Sequence, residues 1–223
     1  MCNLYSMTKA REAVLRLFRV GHNRATAVDP LRAIFPGHTA PIVRRAEDGE
    51  RELVTLSWGF VLLRDGYAPK RVTNARDDKL QTPFWKPSFE ARRCLVPATS
   101  FCEPHDGRKP ATWHWFALAG HEPRPLFAFA GLWRRWKGPI KKDGPTVEID
   151  VYSFVTTVPN ALTSSINHER SPVLLASEDD MDTWLSDDHA AVKALIRPLP
   201  AERLRIVQEG FDKEDLLAPA AAE

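Results

Sequence analysis

The chain has 223 residues, 43% hydrophobic and 27% charged, with a formal net charge of +2 and a sequence pI near 8.5. This composition is ordinary for a globular protein, allows a core that buries about 70% of the unfolded surface, and permits an anionic partner without demanding one. No apolar run approaches the roughly 18 residues of a membrane span, and Met1 to Val20 carries too many charges for a secretory signal, so a cytoplasmic protein with no membrane association is expected. Cys2, Cys94 and Cys102 form no metal-ligand spacing and leave an odd number for disulfides, which fits a reducing compartment. The histidines show no metal-site spacing with carboxylates or cysteines, so neither a metal nor another cofactor is expected.

In chain order, Cys2 follows Met1 directly. Val14, Leu17 and Phe18 then fall at helical spacing, which predicts an amphipathic helix between Thr8 and Val20 with Thr8 as its N-cap. Leu53 to Phe60, Arg93 to Glu103, Thr112 to Leu118, Leu126 to Trp133 and Val147 to Thr157 read as strands, rich in Val, Phe, Trp and Thr. Turns at Pro36-Gly37, His105 to Pro110, Gly120 to Pro125 and Gly138 to Pro145 separate them, and such short spacings favour antiparallel pairing. Ser177 is expected to cap a helix from Glu178 to Leu185, and Asp187 one from His189 to Ile196. Residues 215–223, ending in an Ala-rich tail, are expected to fray. With no repeat and no linker, residues 1–223 form one α+β domain with a β-rich, antiparallel, barrel-like core flanked by helices.

A cysteine is small enough for the preceding Met to be trimmed, which leaves a free α-amine beside the Cys2 thiol. Such a 1,2-aminothiol forms a Schiff base with an aldehyde through its amine and closes a five-membered thiazolidine through its thiol. The amine titrates at roughly 7.7–8.0 and the thiol near about 8.5, so both are usable at neutral pH. Further along lie Trp58-Gly59, Asn74-Ala75-Arg76, Ser100-Phe101-Cys102-Glu103, Phe154-Val155-Thr156 and Asn167-His168-Glu169-Arg170. A lone Asn-Ala-Arg or a single Glu means little, but the ordered set beginning at Cys2 resembles the SOS response-associated peptidase family, over residues 1 to about 210.

The resemblance implies an abasic-site processing protein that forms a thiazolidine crosslink between Cys2 and the ring-opened aldehyde of an abasic deoxyribose in single-stranded DNA. Glu103 matches the family's catalytic glutamate, a general acid/base for ring opening and loss of water. His168 is the second proton-handling residue, and Asn74 offers an amide that both donates and accepts in the same pocket. Arg76 and Arg170 would face phosphates, Thr156 would offer a hydroxyl, and Trp58 would belong to the DNA-binding set. The family's peptidase label implies an autoproteolytic removal of Met1. Abasic single-stranded DNA is the expected partner, with replication or repair machinery nearby, association with a nucleoid in a bacterium, and a monomeric state.

The chain also departs from the family. Leu4 stands where relatives carry a DNA-contacting Arg, Asn3 where they carry Gly, and Leu62-Leu63-Arg64 with Gly66-Tyr67-Ala68-Pro69 where an aromatic pair wedges beside the bases; only Asp78 matches the usual Glu after Asn-Ala-Arg. Separately, Trp133-Arg134-Arg135-Trp136-Lys137 reads either as a nucleic-acid contact or as an amphipathic hairpin. Two other functions fit a Cys2 exposed in this way: an N-terminal-nucleophile, glutaminase-like amidohydrolase with the amine as base, and a non-catalytic single-stranded DNA-binding module.

Overall fold

Two of the apolar runs break where the backbone must change sheets. The computed structural model describes residues 2–25, 29–105, 107, 109–120, 122–166 and 168–216. Within it, the stretch from Arg93 to Glu103 divides at Thr99 into the strands Arg93–Ala98 and Ser100–Pro104, which belong to different sheets. The run from Leu53 divides at Gly59, where φ is +105° and an added Cβ would lie 3.0 Å from Arg71 Cβ; Arg51–Trp58 precedes it and Phe60–Leu62 follows.

The larger sheet contains a closed ring. Val147–Thr157, Phe127–Gly138, Arg93–Ala98, Thr39–Arg45 and Arg51–Trp58 are antiparallel neighbours in that order. The last strand then pairs with the first through Val151↔Ser57 and Tyr152↔Trp58, and this pair is parallel. Antiparallel pairing was the expectation throughout. An odd ring of alternating strands cannot satisfy it, because its first and fifth members run the same way. Gly131, opposite Cys94, permits the close approach inside the ring: a Cβ there would meet Cys94 Sγ at 2.7 Å and Cys94 O at 2.8 Å.

A second, fully antiparallel sheet runs Leu204–Gly210, Trp113–Leu118, Ser100–Pro104, Tyr5–Met7, Leu31–Ile34. Its inner face joins the ring's core through Phe101, whose ring lies 5.2 Å from Phe116 and 6.1 Å from Phe129. Tyr5 locks the N-terminal strand into the same core, its hydroxyl 2.6 Å from that of Tyr152 and its ring edge-on to Trp58. The α+β class with a β-rich barrel core therefore stands.

The helix ends differ in detail. The first helix is Arg11–Leu17 and begins after Ala10, with no side-chain cap, because the Thr8 hydroxyl and N–H are both directed to Thr99 Oγ1, at 3.0 and 3.1 Å. Ser177 does cap Glu178–Leu185 by accepting from Asp180 N–H. His189–Ala194 is capped by Asp188 rather than Asp187, since Asp188 is the residue whose carboxylate reaches the Ala190 and Ala191 N–H groups, both at 3.0 Å.

Asp215, expected to fray, is fully buried: it pairs with Arg124, accepts from the Ser6 and Ser100 hydroxyls at 2.6 Å each, and its N–H donates to Arg32 O. The remainder of that tail, residues 217–223, lies outside the described residues. The Trp-Arg-Arg-Trp-Lys segment is largely structural. Arg44 covers Trp133, and the Arg134 guanidinium sits 4.5 Å from both Phe60 and Phe84 while donating to Val61 O. Burial, helped by Arg92, pushes Arg134 down to about 10.

Candidate active site

The segment before Tyr5 runs along the edge of Ser100–Pro104, with Cys102 N–H donating to Leu4 O at 2.9 Å. Cys2 is 1% exposed, and its Sγ lies 3.6 Å from Leu4 O. Burial, reinforced by the negative charge of Glu103, raises the Cys2 thiol well above its ordinary value. All three cysteines are free and buried. In the native protein they are expected to react only slowly with a thiol reagent near neutral pH, with reactivity still rising above the ordinary thiol pKa of about 8.5, and to react fully in denaturant. A colorimetric thiol count with and without denaturant checks this.

Leu4 is 2% exposed and packs in a small outer cluster with Cys102 and Trp115. Position 4 of this chain is thus a packing position rather than a site for a DNA-contacting side chain.

Asn74 lies on the strand Asn74–Arg76, which runs parallel to Val147–Thr157 through Phe154↔Asn74 and Thr156↔Arg76. Its Nδ2 donates to Cys2 O at 2.8 Å and to Thr73 Oγ1 at 2.8 Å, and Thr73 Oγ1 donates to Asn3 Oδ1 at 2.8 Å. Thr73 was not picked out from the sequence, where a threonine before Asn-Ala-Arg carries no signal. Asn74 Oδ1 is buried without a hydrogen-bond partner among the described residues.

Glu103 and His168 are 1% and 5% exposed, with His168 Nε2 2.9 Å from Glu103 Oε2. His168 reaches Glu103 because Ser171–Pro172, just beyond it, is pinned to Val147–Thr157 through Thr156↔Pro172. Asn167, also quoted among the sequence motifs, lies outside the described residues.

The expected DNA contacts divide. Arg76 is exposed and holds Asp78 with two hydrogen bonds, at 2.9 and 3.0 Å, in a surface pair that a phosphate could displace. Arg170 is not open to a phosphate: it donates to Asp77 Oδ1 at 2.5 Å and to Thr156 O at 2.6 Å, bracing the turn after Arg76. Burial pushes the Asp77 carboxyl up, but hydrogen bonds from Arg170 and Thr157 outweigh it and leave it below its usual range. Thr156 is 1% exposed, and its Oγ1 lies 3.4 Å from Arg170 Nε, so its hydroxyl faces protein. Trp58 is wholly buried between Tyr152 and Phe154, with Nε1 donating to Thr73 O at 3.2 Å; a core aromatic of this kind cannot stack on a base.

Beside Cys2 opens a groove of about 710 Å³ that starts at Asn3, Thr73 and Asn74 and continues past Arg64, Tyr67 and Lys70. Tyr67 is 77% exposed, and the neighbouring Leu63 46%. Among the described residues no group of three or more His, Cys, Asp or Glu could hold a metal ion, and no helix is long and apolar enough to cross a membrane. The cluster thus offers a buried nucleophile, an amide that fixes its backbone, and a buried carboxylate–imidazole pair, and Asn3, Thr73 and Asn74 join the nucleophile's surroundings to a groove lined by cations and one exposed aromatic.

Comparison with known proteins places this arrangement among relatives. The family model described as SOS response associated peptidase matches residues 1–209. The abasic site processing protein YoqW of Bacillus subtilis is 28% identical over 177 residues, covering 73% of this chain and 71% of the relative. The abasic site processing protein YoaM of the same organism is 25% identical over 177 residues, covering 73% and 70%. Crystal structures of a protein from Bacteroides thetaiotaomicron (22% identical, TM-score 0.70, covering 92% of this chain and 90% of that one) and of a protein from Bordetella bronchiseptica (25% identical, TM-score 0.69, covering 92% and 97%) share the fold.

Proposed function

The chain belongs to the SOS response associated peptidase family, and we propose that it captures abasic sites in single-stranded DNA through a covalent bond to Cys2. The buried pair of Glu103, on the strand beside the N-terminal segment, and His168, 2.9 Å from it, is the observation that carries this function. The names of the Bacillus relatives support the choice of substrate.

Removal of Met1, by the chain itself or by an aminopeptidase, exposes the Cys2 amine. The amine nitrogen adds to the aldehyde carbon of the ring-opened deoxyribose, and the oxygen takes up protons and leaves as water, giving an iminium. Cys2 Sγ then adds to the same carbon while its proton passes to a base, which closes the thiazolidine; one water is released overall. A thiol held in its neutral form by burial cannot close the ring unaided, so a base must take the proton as the C–S bond forms, and Glu103, backed by His168, suits that role. The DNA strand would follow the groove past Arg64 and Lys70, with Arg76 at a phosphate and Tyr67 against a base.

Asn74→Ala removes the hydrogen bond to Cys2 O and is expected to slow capture about 10-fold or more with little loss of DNA affinity, because misplacing a reacting group is costly. Single-turnover rates at saturating DNA, beside a binding isotherm, check it. The function itself is tested by mixing protein whose mass shows Met1 absent with a single-stranded oligonucleotide carrying one abasic site. A heat-stable shifted band on a denaturing gel, missing with the undamaged oligonucleotide, is expected. Its absence, or a band independent of the lesion, would contradict the function.

A further inference from the structure

Glu103 is 1% exposed, and a buried acid/base must still exchange protons with solvent. The hairpin formed by Ser100–Pro104 and Trp113–Leu118 sets Glu103 opposite His114, and the next strand, Leu204–Gly210, sets Glu209 opposite His114. Opposed residues of an antiparallel pair share a face, with Cβ atoms about 4.5–5.5 Å apart. Here it is the inner face, as the Phe101–Phe116 stack two residues along shows.

His114 is 3% exposed, and its Nε2 lies 3.2 Å from Oε1 of Glu209, whose side chain is half exposed. On its other side, His114 Nδ1 has no hydrogen-bond partner among the described residues, and neither has Glu103 Oε1 in the adjacent side chain. Glu103 and His114 thus each leave a buried polar atom unsatisfied on opposed positions of one face, a cost that packing alone does not repay. Among the described residues, the other titratable groups around this pair are His168, 2.9 Å from Glu103 Oε2, the Cys2 and Cys102 thiols, both of which feel the Glu103 charge, and His105, whose ring lies 5.9 Å from that of His114.

We propose that His114 and Glu209 form a proton relay joining Glu103 to solvent, an inference that rests on Glu103 being the proton-handling carboxyl of the capture reaction. A proton leaving Glu103 crosses to Nδ1 of neutral His114 through one bridging water, and the Nε2 proton moves to the Glu209 carboxylate and then to bulk water. The imidazole is left as its other tautomer and resets by the reverse transfer.

The test measures single-turnover capture across pH for the full chain and for His114→Ala, His114→Phe and Glu209→Gln, with thermal melts alongside. His114→Ala is expected to slow capture about 10-fold or more and to recover most of the rate when free imidazole is added; His114→Phe is expected to be slow and beyond rescue. Glu209→Gln, a surface change that leaves the core intact, is expected to slow capture less and to flatten the pH profile. Capture by Glu209→Gln with the unmodified rate and pH profile, together with imidazole-insensitive His114→Ala, would overturn the relay while leaving the capture function standing. Absence of any adduct with the unsubstituted chain would overturn both.

Discussion

Cys2→Ala is expected to lose the heat-stable DNA adduct completely. The variant keeps an N-terminal amine, so it still forms an imine with the aldehyde, but nothing closes on that imine and it hydrolyses. Borohydride should therefore trap a Cys2→Ala adduct that vanishes without reductant, whereas the unsubstituted chain needs no reductant. Cys2→Ser offers only a hydroxyl, a poorer nucleophile whose ring reopens readily, and should behave like the alanine variant after heating. The fold should survive both changes: Cys2 precedes the N-terminal strand Tyr5–Met7, and Tyr5, hydrogen-bonded to Tyr152, holds that strand in place. A denaturing gel with and without borohydride separates the imine from the ring.

Glu103→Gln should slow capture by roughly 10²–10⁴-fold, the usual worth of a positioned acid/base. The substitution keeps the shape and an oxygen able to accept from His168, so the variant should stay folded with a melting temperature close to that of the unsubstituted chain. It should also bring the Cys2 thiol back toward its ordinary value, because Glu103 is the second cause of its upward shift after burial. His168→Gln should be slow as well, and the double variant no slower than Glu103→Gln, because residues acting as one unit are not additive. Single-turnover rates for the three variants decide this. Additive losses would mean that the two residues act at separate steps.

Much of this was legible in the sequence. The strand-like runs and the helix cap at Ser177 could be read directly, but the His105 to Pro110 turn counts to residue 103 opposite 112, whereas the loop extends to Thr112 and sets residue 103 opposite 114. The strand Leu204–Gly210, which sets Glu209 opposite His114, was not among the runs read as strands, and no short motif marks either residue.

Ring closure was not legible, because a parallel pairing between Arg51–Trp58 and Val147–Thr157 depends on the number of strands rather than on any local pattern. Nor did residue type reveal side-chain direction. Arg170 and Arg134 carry the charge of phosphate contacts but spend it on Asp77, on backbone carbonyls and on aromatic faces, since a guanidinium on a long apolar stem can be buried once its donors are met. Trp58 shows the converse, a residue expected at the DNA that belongs to the core, and the buried Leu4 agrees with the loss of the relatives' Arg at that position. The cationic groove with Tyr67 at its edge is where the chain retains groups able to meet a strand.

The most direct measurement is mass spectrometry of the trypsin-digested crosslink, with and without borohydride. The prediction is that the sugar remnant lies on the peptide Cys2–Lys9, at the summed mass less one water, and that borohydride adds no hydrogen because the product is a ring. A remnant on a lysine, a gain of two hydrogens on reduction, or an unmodified Cys2–Lys9 peptide would contradict capture by Cys2.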